Sequence, residues 1–170
     1  MLERIAALGL DRELVLVGIG GHGGAGKSTL ARMIPGAAVV STDEFWDGSG
    51  FDLSRLRREV LDSLVSGRTA RFASFDWVAG EPRGERRVEP HGIVVVEGVC
   101  ALHRMFRDDY NVRVWVDAPR DLRLARGVAR DGEVARATWE NVWMPMEDAY
   151  VERDDPAAAA ELVVDGSGSL

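Results

Sequence analysis

Short apolar runs without alternation are separated along this chain by segments whose apolar residues recur at helical spacing. Leu14-Val15-Leu16-Val17-Gly18-Ile19 and Ile93-Val94-Val95-Val96 lack a polar face, as strands covered on both sides by other elements should. The pattern predicts strands at about 14–19, 37–41, 93–97, 113–117 and 162–164, and helices at about 28–33, 53–65, 120–130 and 138–153. Asp52 is a natural N-cap for the second helix, and Gly67 falls near its end. Strands alternating with helices predict an α/β domain, a five-stranded parallel sheet flanked by helices. Between Gly67 and Gly92 the period changes. Segments 71–77 and 86–89 flank Gly80-Glu81-Pro82-Arg83-Gly84, which reads as the turn of a β-hairpin inserted over about 68–91. Apart from four alanines at 157–160 and the Gly166-Ser167-Gly168-Ser169 tail, expected to fray, no repeat or low-complexity segment interrupts the pattern.

Composition narrows the function classes. At 170 residues one domain over 1–170 is expected, long enough to bury a sizeable core. A net charge of −7 argues against nucleic acid as a partner, so any attraction for phosphate must come from local basic groups. The single cysteine, Cys100, excludes an internal disulfide and, lying in an apolar run, reads as buried filler rather than a nucleophile. Met1–Leu10 carries Glu3 and Arg4 without a long apolar stretch, and no run approaches the length of a membrane span. A cytoplasmic protein with no membrane partner is expected. A homo-oligomer stays open.

The candidate chemistry sits at the ends of the predicted strands. Lys27 is the only lysine, and it lies in Gly21-His22-Gly23-Gly24-Ala25-Gly26-Lys27-Ser28, a phosphate-binding P-loop between a strand and a helix. Glycines let backbone N–H groups curl around phosphate oxygens, while the ammonium supplies a compact point charge that a planar guanidinium cannot imitate. Nucleoside triphosphate binding follows. Ser41-Thr42-Asp43-Glu44-Phe45-Trp46 ends the second strand, at the sheet edge where ligands bind in such folds. Asp43 is placed there to accept a hydroxyl proton during phosphoryl transfer; the same carboxylate could instead cap a turn. Glu97, closing the 93–97 strand, could bind Mg²⁺ directly or through water alongside the Ser28 hydroxyl, or could be a salt-bridged strand end. Arg123, Arg126 and Arg130 recur at spacings that put them on one helix face, as a lid over a transferring phosphate needs; solvated arginines paired with Asp121 or Asp131 give the same pattern.

Together these sites resemble the uridine–cytidine kinase family, in the group that includes phosphoribulokinase and pantothenate kinase. The likeness runs through nearly the whole chain. Thr42-Asp43-Glu44-Phe45-Trp46 is similar to the family's D-x-F-Y segment, Trp46 to Asp52 to a shortened D-x-P-x-A-F-D loop, and Phe75-Asp76-Trp77 to its hairpin Y-D-F. Glu97-Gly98 resembles the strand-end E-G, Arg126 to Asp131 the arginine lid, and Pro145-Met146-Glu147 and Ala160 to Val164 the late K-P-x-x-E and A-D-x-x-I segments. The resemblance implies a P-loop kinase with ATP and Mg²⁺ as cofactors and a small hydroxylated substrate. By it Asp43 is the base, Lys27, Arg126 and Arg130 assist transfer, and Ser28, Asp43 and Glu97 surround the metal. Gly21, Gly23, Gly24, Ala25, Gly26, Lys27, Ser28 and Thr29 would hold the nucleotide with Arg130 and Arg136. Asp43, Trp46, Asp47, Phe75, Asp76 and Arg126 would meet the acceptor, Asp47 at a sugar hydroxyl, under a lid at about 119–137. Three departures stand out: glycine at position 80 near the expected base-reading histidine, Phe75 in place of a tyrosine, and Arg126-Gly127 in place of paired arginines. They predict weak discrimination among bases.

Overall fold

The computed structural model describes residues 12–168 apart from Val78, so Met1–Leu10 and Ser169 lie outside the described residues. Strands β1 (Leu14–Gly21), β2 (Ala38–Ser41), β5 (Gly92–Glu97), β6 (Val112–Asp117) and β7 (Leu162–Asp165) form one parallel sheet in the order β2-β5-β1-β6-β7. The remaining two, β3 (Ala70–Asp76) and β4 (Glu81–Val88), pair antiparallel as a separate hairpin. Helix α1 (Lys27–Arg32) follows β1. After β2 comes a 3₁₀ turn, Thr42–Phe45, and then α2 (Leu53–Leu56), which runs through a π turn at Arg57–Leu61 into α3 (Asp62–Val65). Asp52 caps this stretch by accepting the Arg55 N–H at 2.8 Å. Helix α4 (Arg120–Asp131) follows β6; α5 (Arg136–Thr138), a π turn at Trp139–Trp143 and α6 (Met144–Asp154) complete the helical layer before β7.

Successive residues of a strand point to opposite faces, and β1 shows what that does to the core. Leu16 joins the cluster under α2, α3 and the hairpin, with Leu56, Leu61, Leu64, Phe72 and Phe106, while Val15, Val17 and Ile19 join the cluster under α1, with Leu30 and Ile34. Gly18 and Gly20 also point toward the first cluster, where a Cβ on Gly18 would lie 2.6 Å from the Tyr110 ring and 2.8 Å from Leu102. Glycine leaves the room those two side chains fill. Each fully buried Leu, Ile or Phe contributes about 1.5–3 kcal/mol, so the two-sided core fixes where the strands end. Those ends carry the loops discussed below.

The structure departs from the sequence reading in three places. The hairpin closes at the Asp76–Glu81 pair, so its turn precedes Glu81 rather than spanning 80–84: Glu81, Pro82 and Arg83 pair with Asp76, Phe75 and Ser74, and the register shifts between Ala73 and Ser74. That bulge absorbs the irregularity that made the second glycine look like the turn. The last helical region begins at Arg136, earlier than expected, because the π turn keeps the chain winding. The tail does not fray through Gly168: Gly166 is buried, its N–H donates to the Asp117 carbonyl at 2.7 Å, and Arg126 donates to the carbonyls of Gly166 and Gly168. Among the described residues no helix is long and apolar enough to cross a membrane.

Candidate functional site

Strand register builds the site. Ile19 of β1 lies beside Glu97 of β5, and Glu97 lies beside Ser41 of β2, so the P-loop, the acid and the Asp43 turn leave one sheet edge side by side. The loop needs left-handed backbone at Gly24 (φ 75°) and Gly26 (φ 106°), where a side chain would be strained. Gly26 begins α1 with no side-chain cap and no acid in the first turn, leaving the leading amides to an anion. Ala25 packs beneath the loop, fully buried, and Thr29 is exposed. Lys27 is only 8% exposed, and its ammonium donates to the His22 carbonyl at 2.9 Å, curled across its own loop.

The Ser28 hydroxyl donates to Glu97 Oε1 at 3.1 Å, so the strand-end glutamate faces the P-loop serine. Burial raises the Glu97 pKa, the nearby Lys27 charge opposes the rise, and Asp43 adds to it. Asp43 is not the cap of its turn. Ser41 accepts the Asp43 N–H at 3.3 Å, and Glu44 accepts the Ser41 N–H at 2.9 Å, a complete capping box. The Asp43 carboxyl reaches solvent but has protein crowded around it; that desolvation raises its pKa against the pull of Lys27 and Arg130. Two carboxyls are thus held near one ammonium and one hydroxyl. Among the described residues no three His, Cys, Asp or Glu side chains could hold a metal ion by themselves. One hydroxyl and two carboxylates suit a hard cation that keeps waters and phosphate oxygens as further ligands, the habit of Mg²⁺.

Beyond Asp43 lies an aromatic wall. Trp46 meets Phe51 at 5.4 Å and Trp77 at 5.5 Å between ring centroids, and Phe75 meets Trp77 at 5.1 Å. Trp46 and Phe75 are therefore joined in one cluster through Trp77. Asp47 turns inward on its own loop: one carboxylate oxygen accepts the Ser49 N–H, the Ser49 hydroxyl and the Gly50 N–H at 2.8–2.9 Å, which holds its pKa below the ordinary value. Asp76 accepts the Ala79 N–H at 3.0 Å and pairs with Arg83, closing the hairpin turn. The hairpin is docked by Arg86, which donates to both Glu44 oxygens and to the Val39 carbonyl, and by Arg55, which donates to the Ala73 carbonyl. The residue that completes the Asp43 turn also anchors the hairpin.

The arginines expected on one face have different surroundings. Arg123 is buried, donates to the Ala118 carbonyl at 3.1 Å and lies 3.9 Å from Glu147. Arg126 donates to the carbonyls of Gly24 at 3.3 Å and Gly166 at 2.7 Å, tying α4 and the tail to the P-loop. Arg130 pairs with Asp131 and lies over the Trp139 ring; Arg136 pairs with Glu133 and Glu140. Gly127, where a second lid arginine was expected, backs onto Trp139, whose Cζ2 a Cβ there would approach to 2.6 Å. The indole N–H in turn donates to Asp131 at 2.9 Å. Trp139 and Asp148 escaped the sequence reading, and Glu147 entered it only within the Pro145-Met146-Glu147 resemblance, with no role assigned; the one signal for the tryptophan was the glycine itself.

No family model matches the chain. It is 26% identical over 188 residues to a uridine kinase of Macrococcus caseolyticus, covering 91% of this chain and 90% of that protein. It is also 29% identical over 174 residues to an inorganic pyrophosphatase of Arabidopsis thaliana, covering 88% of this chain but only 26% of that protein's length. In fold it is similar to a possible uridine kinase from Bacillus stearothermophilus, with a TM-score of 0.70 over 96% of this chain and 98% of that one at 18% identity. Over most of its length the chain is thus similar in sequence to proteins named uridine kinase, and it shares the fold of a possible uridine kinase.

Proposed function

We propose that the chain is an ATP-dependent phosphotransferase that moves the γ-phosphate to a hydroxyl of a small molecule, with a nucleoside of the uridine or cytidine kind as acceptor. The observation that carries this reading is the Ser28–Glu97 contact of 3.1 Å at the edge where the P-loop and Asp43 converge. A protein that only binds nucleotide has no need of a carboxylate on the acceptor side. Ser28, Glu97 and Asp43 would hold Mg²⁺, directly or through water. When bound, that ion would draw charge off the phosphates.

The rest falls to the chain's own residues. Asp43 takes the proton of the acceptor hydroxyl; the freed oxygen bonds to the γ-phosphorus as the bond to the bridging oxygen breaks and ADP leaves. The raised pKa of Asp43 brings it closer to the range of a useful base. Lys27 supplies fixed positive charge beside the phosphates. Arg126, Arg130 and Arg136 serve the phosphates once the 119–137 lid closes, each leaving the partner it holds now. A groove of about 540 Å³ lined by Asp117, Ala118, Pro119, Val163, Asp165 and Ser167 flanks Gly166, which packs on the Ala25 carbonyl, and would take the nucleotide's base beside the P-loop.

A second reading keeps the chemistry and changes the acceptor to another hydroxylated metabolite. The hairpin favours it: Phe75, Trp77 and Gly80 present stacking surface and an open turn in place of a donor for a base edge. The test is ADP release by purified protein with Mg·ATP and a panel of uridine, cytidine, adenosine and simple sugars. Turnover with one nucleoside supports the first reading and turnover with a sugar the second. ATP binding without any acceptor-dependent ADP release would overturn both and leave a nucleotide-binding regulator.

A further inference from the structure

Three successive P-loop residues are held from outside the loop, by side chains of the two helices packed against it. The Gly23 N–H donates to Glu147 Oε2 at 2.9 Å, the His22 Nε2 lies 3.4 Å from Asp148 Oδ1, and the Gly24 carbonyl accepts from Arg126 at 3.3 Å. Glu147 and Asp148 are consecutive on α6, and each also faces an arginine of α4: Glu147 lies 3.9 Å from Arg123 and Asp148 accepts from Arg120 at 2.7 Å. Trp139 fills the space between the same parts, since a Cβ on Gly23 or on Gly127 would strike its ring. One acidic dipeptide thus touches the outer limb of the loop on one side and the root of the lid helix on the other.

We propose that Glu147 is a positioning residue for nucleotide binding: by accepting the Gly23 N–H while facing Arg123, it sets the outer limb of the P-loop in its binding shape and couples that limb to the lid helix. The proposal rests on the nucleotide-binding reading above. Geometry favours a support over a plug that competes with phosphate. The leading amides of α1, which an anion would use, are not given to Glu147; the one N–H that it takes lies on the limb before them. A carboxylate on Gly23 therefore fixes the loop without filling its mouth.

The test compares wild type, Glu147→Gln and Glu147→Ala in the full-length chain, by amide exchange of Gly23 without nucleotide and by calorimetry with Mg·ATP. Glutamine keeps an oxygen acceptor of the same reach; alanine removes it. The alanine variant should exchange the Gly23 amide at least about tenfold faster and bind Mg·ATP about tenfold more weakly, and the glutamine variant should return both to within about threefold of wild type. Tighter Mg·ATP binding by Glu147→Ala would overturn the proposal, because the carboxylate would then be competing with phosphate. Unchanged Gly23 exchange in Glu147→Ala would overturn it as well. Wild-type protein that binds no nucleotide would instead defeat the kinase reading, and the exchange comparison would still decide whether Glu147 holds the loop.

Discussion

On the proposed phosphate side of the cleft a Cβ built on Gly23 would lie 2.6 Å from Glu147 Oε1 and one on Gly127 would strike the Trp139 ring, whereas on the proposed acceptor side Gly48, Gly50, Gly80 and Gly84 have nothing within 4 Å. Charge follows the same division. Lys27, Glu97 and Arg123 are buried around the P-loop, while the hairpin strand β4 is exposed along nearly its whole length, and of its arginines Arg83 and Arg87 pair with acids of the hairpin itself. Phosphate is the same group in every nucleotide, so a tightly packed, desolvated mould suits it. An acceptor site that is open, aromatic and short of fixed donors places fewer demands on its ligand. Substitutions should therefore cost most on the first side and least on the second.

The largest effects are expected at the charges that touch the reaction. Lys27→Arg should cut turnover by about a thousandfold with little change in melting temperature, because the planar guanidinium cannot curl onto the His22 carbonyl as the ammonium does. Asp43→Asn should still bind Mg·ATP and slow single-turnover transfer by about a hundredfold or more. Asp43 acts as a base only when ionised, and burial raises its pKa, so wild-type kcat should fall on acidification at a pH above the ordinary aspartate value of about 4. Loss of ATP binding in Asp43→Asn with transfer unchanged would make Asp43 a nucleotide ligand instead.

Packing on the phosphate side comes next. Gly127→Ala should cost about 1–3 kcal/mol and lower the melting temperature by several degrees, since the new methyl meets the Trp139 ring, itself buried and bonded to Asp131. An alanine variant as stable as wild type would show that the lid helix can move off Trp139 without penalty.

These contacts mark the boundary of what the sequence could tell. The sheet strands were legible because an apolar run covered on both faces has few other fates, and the P-loop because its glycines and lysine are fixed in spacing along the chain. The partners of that loop were not legible. Glu147 lies 124 residues from Gly23, and the resemblance of Pro145-Met146-Glu147 to a late family segment named no partner for it. Arg126 was read as a phosphate contact from helical spacing, which gives a face but not the carbonyls of Gly24 and Gly166 that happen to lie against it. Asp47 was read from resemblance to a loop that is longer in the family; in the short loop here its carboxylate closes its own turn.

A smaller effect has the opposite sign. Burial raises the Glu97 pKa, so above about pH 4 the unfolded chain has released a proton that the folded chain still holds. Unfolding then releases a proton, and stability falls as pH rises toward the folded pKa; beyond it the burial penalty is present in full. Glu97→Gln escapes that penalty. Without Mg²⁺ or nucleotide it should be more stable than wild type at pH 7–8, with the gap closing below about pH 4 and activity lost. A destabilised Glu97→Gln across that range would show that the Ser28 hydrogen bond outweighs desolvation.

The smallest effect is expected on the acceptor side, at Gly50. Its N–H donates to Asp47 and its carbonyl accepts the Asp47 N–H at 3.0 Å, contacts that alanine retains, and no positive φ is required there. With nothing within 4 Å of the added methyl, Gly50→Ala should leave stability within about 0.5 kcal/mol. The same openness predicts an unchanged KM for the acceptor, provided the loop from Trp46 to Phe51 stays where it is during turnover. Melting and steady-state kinetics on one preparation separate the two parts. Unchanged stability with a KM raised tenfold would mean that the loop closes over the acceptor and that its empty space is a binding volume, which would bring the acceptor side much nearer to the phosphate side in the demands it makes on shape.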